Sequence, residues 1–121
     1  DYAEIPTEKG LVVMDTPGSD IFSITGMAAG GAQIIVFTTG MGTPAGCPVA
    51  PTIKVSSNTE LFENMRDDMD LDAGGIARGG DISGAGRELY SLIEKVADGQ
   101  QPAAEANRQD TFAIQTTARP F

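Results

Sequence analysis

Three short strand-like runs, each broken off by glycine, proline or hydroxyl residues, constrain the fold of this chain most. Gly10-Leu11-Val12-Val13-Met14 ends at Asp15-Thr16-Pro17-Gly18, and Gln33-Ile34-Ile35-Val36-Phe37 ends at a loop from Thr38 to Pro48. Thr52-Ile53-Lys54-Val55 ends at Ser56-Ser57-Asn58. The first two, as continuous apolar runs, have the pattern of strands covered on both faces, and the third reads as a further strand. Between the first two, Ser19 or Asp20 caps a predicted helix over 21–29, with Ile21, Ile24, Thr25 and Ala28 on one face and Gly30-Gly31 as its stop. Strand, helix and strand with short connections define a βαβ unit with parallel strands and a right-handed crossover.

The rest of the chain continues the alternation. A short helix is predicted from Thr59 to about Met65, and an extended segment over 67–72 closes at Gly74 and Gly75. Ile82, Leu89, Leu92, Ile93 and Val96 recur at helical spacing, so a helix is expected over 81–97 with Asp98-Gly99 as its stop. Residues 102–106 suit a turn or two of helix, and 111–114 a last strand. The sum is a three-layer α/β domain with a mostly parallel sheet over 10–114. A linker or arm precedes it at 1–9, and a loosely held tail follows at 115–121.

Composition removes whole classes of function. Eight Lys and Arg against seventeen Asp and Glu leave a net charge of −9, which repels phosphate backbones and anionic lipid surfaces. No nucleic acid and no membrane is therefore expected as a partner. No apolar stretch approaches the ~20 residues that span a bilayer, and the acidic start has no signal-peptide core. With Asp1 in place of an initiator Met, the chain reads as a cleaved product or an excised domain. The single Cys47 makes no internal disulfide, which fits a reducing compartment. The absence of His excludes Ser-His-Asp triads and HExxH zinc sites within the chain. Chemistry here falls to carboxylates, Lys54, hydroxyls, backbone dipoles or a metal bound by oxygen.

Ligands of parallel α/β sheets bind beyond the carboxyl ends of the strands, so segments 15–18, 38–46 and 56–58 are expected on one edge. The loop carries Gly40, Gly42 and Gly46 among the hydroxyls of Thr38, Thr39 and Thr43. Such a loop either turns N–H groups inward around a carboxylate or phosphate, or is a tight turn without a ligand. It is no dinucleotide fingerprint, because Ala45 stands where a third Gly belongs, and no Gly-Lys-Ser/Thr follows to make a P-loop. Asp15 is either a base or metal ligand reaching into the cleft, or an acceptor within its turn. Lys54 either pairs with a substrate carboxylate or points off a strand edge, and Asn58 is most simply a helix cap. If 67–72 is extended, Asp68, Asp70 and Asp72 share a face that binds a divalent cation or is merely solvated.

Met14-Asp15-Thr16-Pro17-Gly18, then Thr25-Gly26-Met27-Ala28-Ala29-Gly30-Gly31-Ala32-Gln33-Ile34, then Phe37-Thr38-Thr39-Gly40-Met41-Gly42-Thr43-Pro44, resemble the C-terminal region of altronate and galactarate dehydratases. Pro51-Thr52-Ile53-Lys54-Val55, Ser57-Asn58-Thr59 and Asp68-Met69-Asp70-Leu71-Asp72-Ala73-Gly74 extend the resemblance. It implies that 10–114 is the Rossmann-like C-terminal domain of a larger cytoplasmic hydro-lyase of hexuronate or hexarate breakdown. Such an enzyme removes water from a sugar acid and releases a 2-keto-3-deoxy acid. The resemblance further implies a divalent metal, Fe2+ foremost and Mn2+ second. It also implies a substrate held by Thr38, Thr39, Gly40, Gly42 and Lys54, with Asp15 and Asn58 as secondary contacts. Asp68, Asp70 and Asp72 are the candidate metal ligands within the chain, and the motifs assign no general base. The isolated piece is expected to be inactive. Its partners are then the sugar acid, the remainder of its own polypeptide and, in a homo-oligomer, further copies of itself. Three alternatives stand beside this reading: a structural or dimerising domain, a small-molecule carboxylate-binding module, and a related sulfolactate sulfo-lyase.

Overall fold

A computed structural model describes residues 1–114, and the expected tail at 115–121 lies outside the described residues. Helix α1 spans Asp20–Ala29 and buries the face its spacing predicts. Ile24 is fully buried there, with Ile21, Met27 and Ala28 packed around the same cluster. Three strands follow: β1 (Ile35–Thr39), β2 (Thr52–Ser56) and β3 (Leu71–Asp72). They form one parallel sheet in the order β1-β2-β3, with Ile35 opposite Thr52 and Ser56 opposite Asp72. Helix α2 (Thr59–Asn64) connects β2 to β3, and a 3-10 helix (Gly74–Arg78) leads to α3 (Ile82–Ala97) and α4 (Ala103–Ala106). The fold is α/β, with helices packed on a small parallel sheet.

Register sorts the side chains between the two faces of the sheet. Partners in a parallel ladder point the same way and successive residues alternate. Ile35, Phe37 and Thr39 therefore share a face with Thr52, Lys54 and Ser56. On that face Ile35 joins Ile24, Ala45, Cys47 and Ala50, with Phe37 against them. The opposite face carries Ile53 and Val55, covered by Leu89, Leu92, Ile93 and Val96 of α3. Their spacing makes one continuous apolar stripe on α3, but Ile82, expected on the same stripe, stands 67% exposed at the helix start. The central strand β2 is consequently buried along its whole length, polar residues included.

Two expected strands do not form among the described residues. Residues 10–14 pair with nothing, and Leu11 and Val13 are 96% and 85% exposed. An apolar run prescribes burial, but a strand also needs a neighbour for its N–H and C=O groups, and this segment is not laid beside β1. The parallel pair is instead β1 and β2, joined by the loop at 40–51. The arm folds back on itself, with Ala3 N donating to Met14 Sδ at 3.3 Å. Tyr2 Oη donates to the Phe22 carbonyl at 2.7 Å, and its ring covers Gly26 so closely that a Cβ there would collide with it. Residues 111–114 likewise add no strand to the sheet. Gly46 and Asp110 make one isolated parallel bridge, and Ala113 N donates to Thr25 Oγ1 at 3.1 Å across α1. Among the described residues no helix is long and apolar enough to cross a membrane.

Candidate functional site

The carboxyl ends of β1, β2 and β3 lead into Gly40, Ser57 and Ala73, and the predicted residues cluster there unevenly. Thr39 Oγ1 accepts from Gly42 N at 3.0 Å and closes a turn at the end of β1. Gly42 holds a φ of +83°, and a Cβ on it would run into Met65 and Leu61. The Thr39 carbonyl accepts from Ser57 N at 2.9 Å, which ties the ends of β1 and β2 together. Asn58 Oδ1 accepts from Glu60 N at 3.0 Å and from Leu61 N at 3.5 Å, so it is the N-cap of α2, as its position predicts. Thr38 and Gly40 lie exposed beside this turn. Asp15 is exposed too, and it follows no strand, so the geometry that would have aimed it into a strand-end cleft does not exist.

Lys54 occupies the middle of the central strand and is fully buried, neither off an edge nor open to solvent. Its Nζ donates to the Pro44 carbonyl and to Gln109 Oε1, each at 3.1 Å. Gln109 Nε2 in turn donates to Asp68 Oδ1. The Lys54 backbone N donates to Asp70 Oδ2 at 2.7 Å, while Asp70 Oδ1 accepts from Ala103 N at 2.7 Å. Burial pushes the Lys54 ammonium below the ordinary lysine range, and the negative charges of Asp68 and Asp70 pull it back up.

Pro44 and Gln109, the two acceptors of Lys54, line a cavity of about 560 Å³. Residues 18–21 at the start of α1, residues 43–45 and Thr111 complete its walls. Because α1 returns into β1 through the short turn at 30–34, its N-terminus stands towards the carboxyl end of that strand. Ser19 caps α1 without a side-chain hydrogen bond. The first-turn N–H groups, which carry the positive end of the helix dipole, are therefore left without a capping side chain. Thr43 Oγ1 accepts from Ala45 N at 3.2 Å and shapes the facing turn. Two of the segments expected to converge thus meet, through residues 18 and 43–45 rather than through Asp15 and 38–42.

The three acidic candidates do not present one face. Asp68 holds Gln109, Asp70 joins β2 to α4, and Asp72 Oδ1 accepts from Gly74 N at 2.8 Å and Thr59 Oγ1 at 3.2 Å. Among the described residues no group of three or more His, Cys, Asp or Glu side chains is placed to hold a metal ion. The donor set of these residues therefore does not fit the divalent metal that the resemblance implies. Cys47 is buried within the α1-side cluster. Gln109 and the bridging role of Asp70 carried no sequence signal, since their partners lie 55 and 33 positions away.

A parallel α/β sheet with a cavity walled by connecting segments is a layout that many small-molecule-binding domains share. The family model described as D-galactarate/altronate dehydratase, C-terminal, matches residues 1–119, and the chain belongs to this family. It is 40% identical over 115 residues to altronate dehydratase of Bacillus subtilis (strain 168), covering 93% of this chain and 23% of that protein. It is 42% identical over 97 residues to galactarate dehydratase (L-threo-forming) of Escherichia coli (strain K12), covering 79% of this chain and 18% of that protein. The (2R)-sulfolactate sulfo-lyase subunit beta of Chromohalobacter salexigens is 34% identical over 115 residues, covering 94% of this chain and 30% of that subunit. The chain thus spans less than a third of the length of each of these relatives.

Proposed function

We propose that this chain is the C-terminal part of a sugar-acid dehydratase of the altronate or galactarate type, and that its carboxyl-edge cavity holds part of the substrate. One observation carries this reading. Two segments that resemble the family, Asp15-Thr16-Pro17-Gly18 and Gly42-Thr43-Pro44, come together in the lining of that cavity through Gly18, Thr43 and Pro44. Elimination of water next to a carboxylate moves the C2 proton to a base and breaks the C3–O bond, the hydroxyl taking a proton from an acid to leave as water. The resulting enol relaxes to a 2-keto-3-deoxy acid. As the C2 proton leaves, negative charge builds on the substrate carboxylate, so fixed donors there lower the barrier. In this proposal the α1 N-terminal N–H groups are such donors, acting against the carboxylate of Asp20 in the same first turn. The general base belongs, in this proposal, to the rest of the polypeptide. So do the ligands of any Fe2+ or Mn2+, and no step is routed through a metal here. A cytoplasmic location, a homo-oligomer and a three-layer Rossmann-like domain in the whole enzyme belong to the same reading.

The test uses the full-length enzyme, with formation of a 2-keto-3-deoxy acid from altronate or galactarate as the readout. Thr39→Ala, which releases the turn beside the cavity, is expected to lower turnover about tenfold through misplacement of the loop. Turnover of sulfolactate in place of either sugar acid would move the chain to the sulfo-lyase reading. A second reading, a domain that only supports a neighbouring active site, is favoured by the employment of Thr39, Lys54, Asn58 and Asp72 in bonds within the chain. Near-normal turnover of Thr39→Ala would put that reading ahead.

A further inference from the structure

We propose that Lys54 is a positioning residue, which acts on a ligand in the carboxyl-edge cavity by holding two of its walls and never touches the ligand itself. The inference rests on the substrate reading above and changes the part Lys54 takes in it. Lys54 has no exposed surface, and its two acceptors, the Pro44 carbonyl and Gln109 Oε1, both belong to cavity-lining residues. With no exposed surface, Lys54 is closed off from a carboxylate in the cavity.

The side chain of Gln109 is fixed at both ends. Its oxygen accepts from Lys54 and its nitrogen donates to Asp68, so a flip of the amide would forfeit both bonds. On the other wall, Pro44 lies between the buried residues Thr43 and Ala45. Its carbonyl is anchored from beneath by an ammonium group on the most buried strand of the sheet. The lysine therefore transmits the rigidity of β2 to two surfaces that the chain reaches by separate routes. Replacing it by an apolar side chain of similar length leaves the Pro44 carbonyl and Gln109 Oε1 without their donor and loosens both walls. Between them, among the described residues, only the Gly46–Asp110 bridge and the Thr111 N to Gly46 carbonyl bond then remain.

The experiment compares Lys54→Met, Gln109→Leu and the double variant in the full-length enzyme. It reads KM and kcat for altronate and galactarate, and amide hydrogen exchange over residues 43–46 and 109–111. A support acting through its neighbours predicts that KM rises about tenfold while kcat falls less than about threefold. It also predicts that the double variant falls well short of the product of the two single effects, because both changes remove the Lys54–Gln109 bond. Exchange should quicken in the two wall segments and stay unchanged in β1 and β2. Multiplying effects in the double variant would mean that Lys54 touches substrate directly, and would overturn the proposal. Unchanged KM in a variant whose walls exchange faster would overturn it as well. If Lys54→Met yields no folded enzyme, Gln109→Leu at the cavity surface carries the test, and an unaltered KM there counts against the idea. If the wild-type enzyme turns over neither sugar acid, the functional reading fails. Hydrogen exchange then decides the support role alone, with unchanged wall protection refuting it.

Discussion

Asp70 offers the sharpest quantitative test of how this domain is held together. Its two carboxylate oxygens accept from Lys54 N and Ala103 N, each at 2.7 Å, and so join the central strand to the start of α4. A hydrogen bond to a charged group contributes about 1.5–3 kcal/mol, and a buried donor left without a partner costs about 1–3 kcal/mol. Asp70 is half-buried, which places the total for Asp70→Ala near the lower end, at about 3 kcal/mol. Against a usual domain stability of about 5–15 kcal/mol that is a large fraction. With a urea slope of about 1.5 kcal/mol/M, the midpoint should fall by about 2 M at constant slope. Asp70→Asn keeps one acceptor oxygen and sets an NH2 group against the other donor, so its cost should lie between those of wild type and Ala. Net charge alone predicts the opposite sign, because removing one negative charge from a chain at −9 relieves self-repulsion. The assay is urea unfolding of the 121-residue chain followed by far-UV circular dichroism. A loss below about 0.5 kcal/mol for Asp70→Ala, or a stabilised Asp70→Asn, would refute the reasoning.

Three further outcomes are expected. Asn58→Ala removes the acceptor for Glu60 N and Leu61 N and should cost about 0.5–2 kcal/mol in the same urea titration, whereas Asn58→Asp should be close to neutral. Gly74→Ala sets a Cβ against the backbone N and hydroxyl of Thr59 at the start of α2, where no flexible side-chain end can yield. It should cost at least about 1–3 kcal/mol in thermal unfolding. The Lys54 ammonium titrates below its ordinary value of 10.5, so below that value the unfolded chain binds more protons than the folded one. Stability from this group therefore rises with pH as pH climbs through the folded value towards 10.5. Lys54→Met should abolish that rise in a series of urea midpoints across the alkaline range.

Much of the fold was legible because its elements are locally determined. The α3 stripe at Leu89, Leu92, Ile93 and Val96 and the Asn58 cap both follow from side chains within a few positions of each other. The same local rule misreads Leu11 to Met14, whose apolar character says nothing about which strand edge is available to pair with it. Lys54 shows the complementary failure. A lysine in Thr52-Ile53-Lys54-Val55 suggests a side chain that meets a substrate or points off a strand edge, yet it is fully buried because residues 44–50 and Gln109 cover its face of the strand. At the candidate site, convergence at the carboxyl edge followed from parallel topology, but which residues would line a cavity did not. Gln109 enters through a contact made across more than fifty positions, and no spacing near it announces that.

The distance between Lys54 and Gln109 along the chain has a kinetic consequence. One wall of the cavity, the start of α1, is backed by the cluster around Ile24, which forms with the sheet. The part of the lining made by Gln109 and Thr111 waits for residues 103–111 to return, and α4, one helical turn long, brings them back with Pro102 and Ala104 as buried anchors. A long loop closes slowly, and a segment with few apolar anchors reopens ahead of the core. The sheet and its helices are therefore expected to assemble first and the cavity last. Under rising denaturant the order reverses, so a ligand that fills the cavity would register on residues 103–111 before it registers on the sheet.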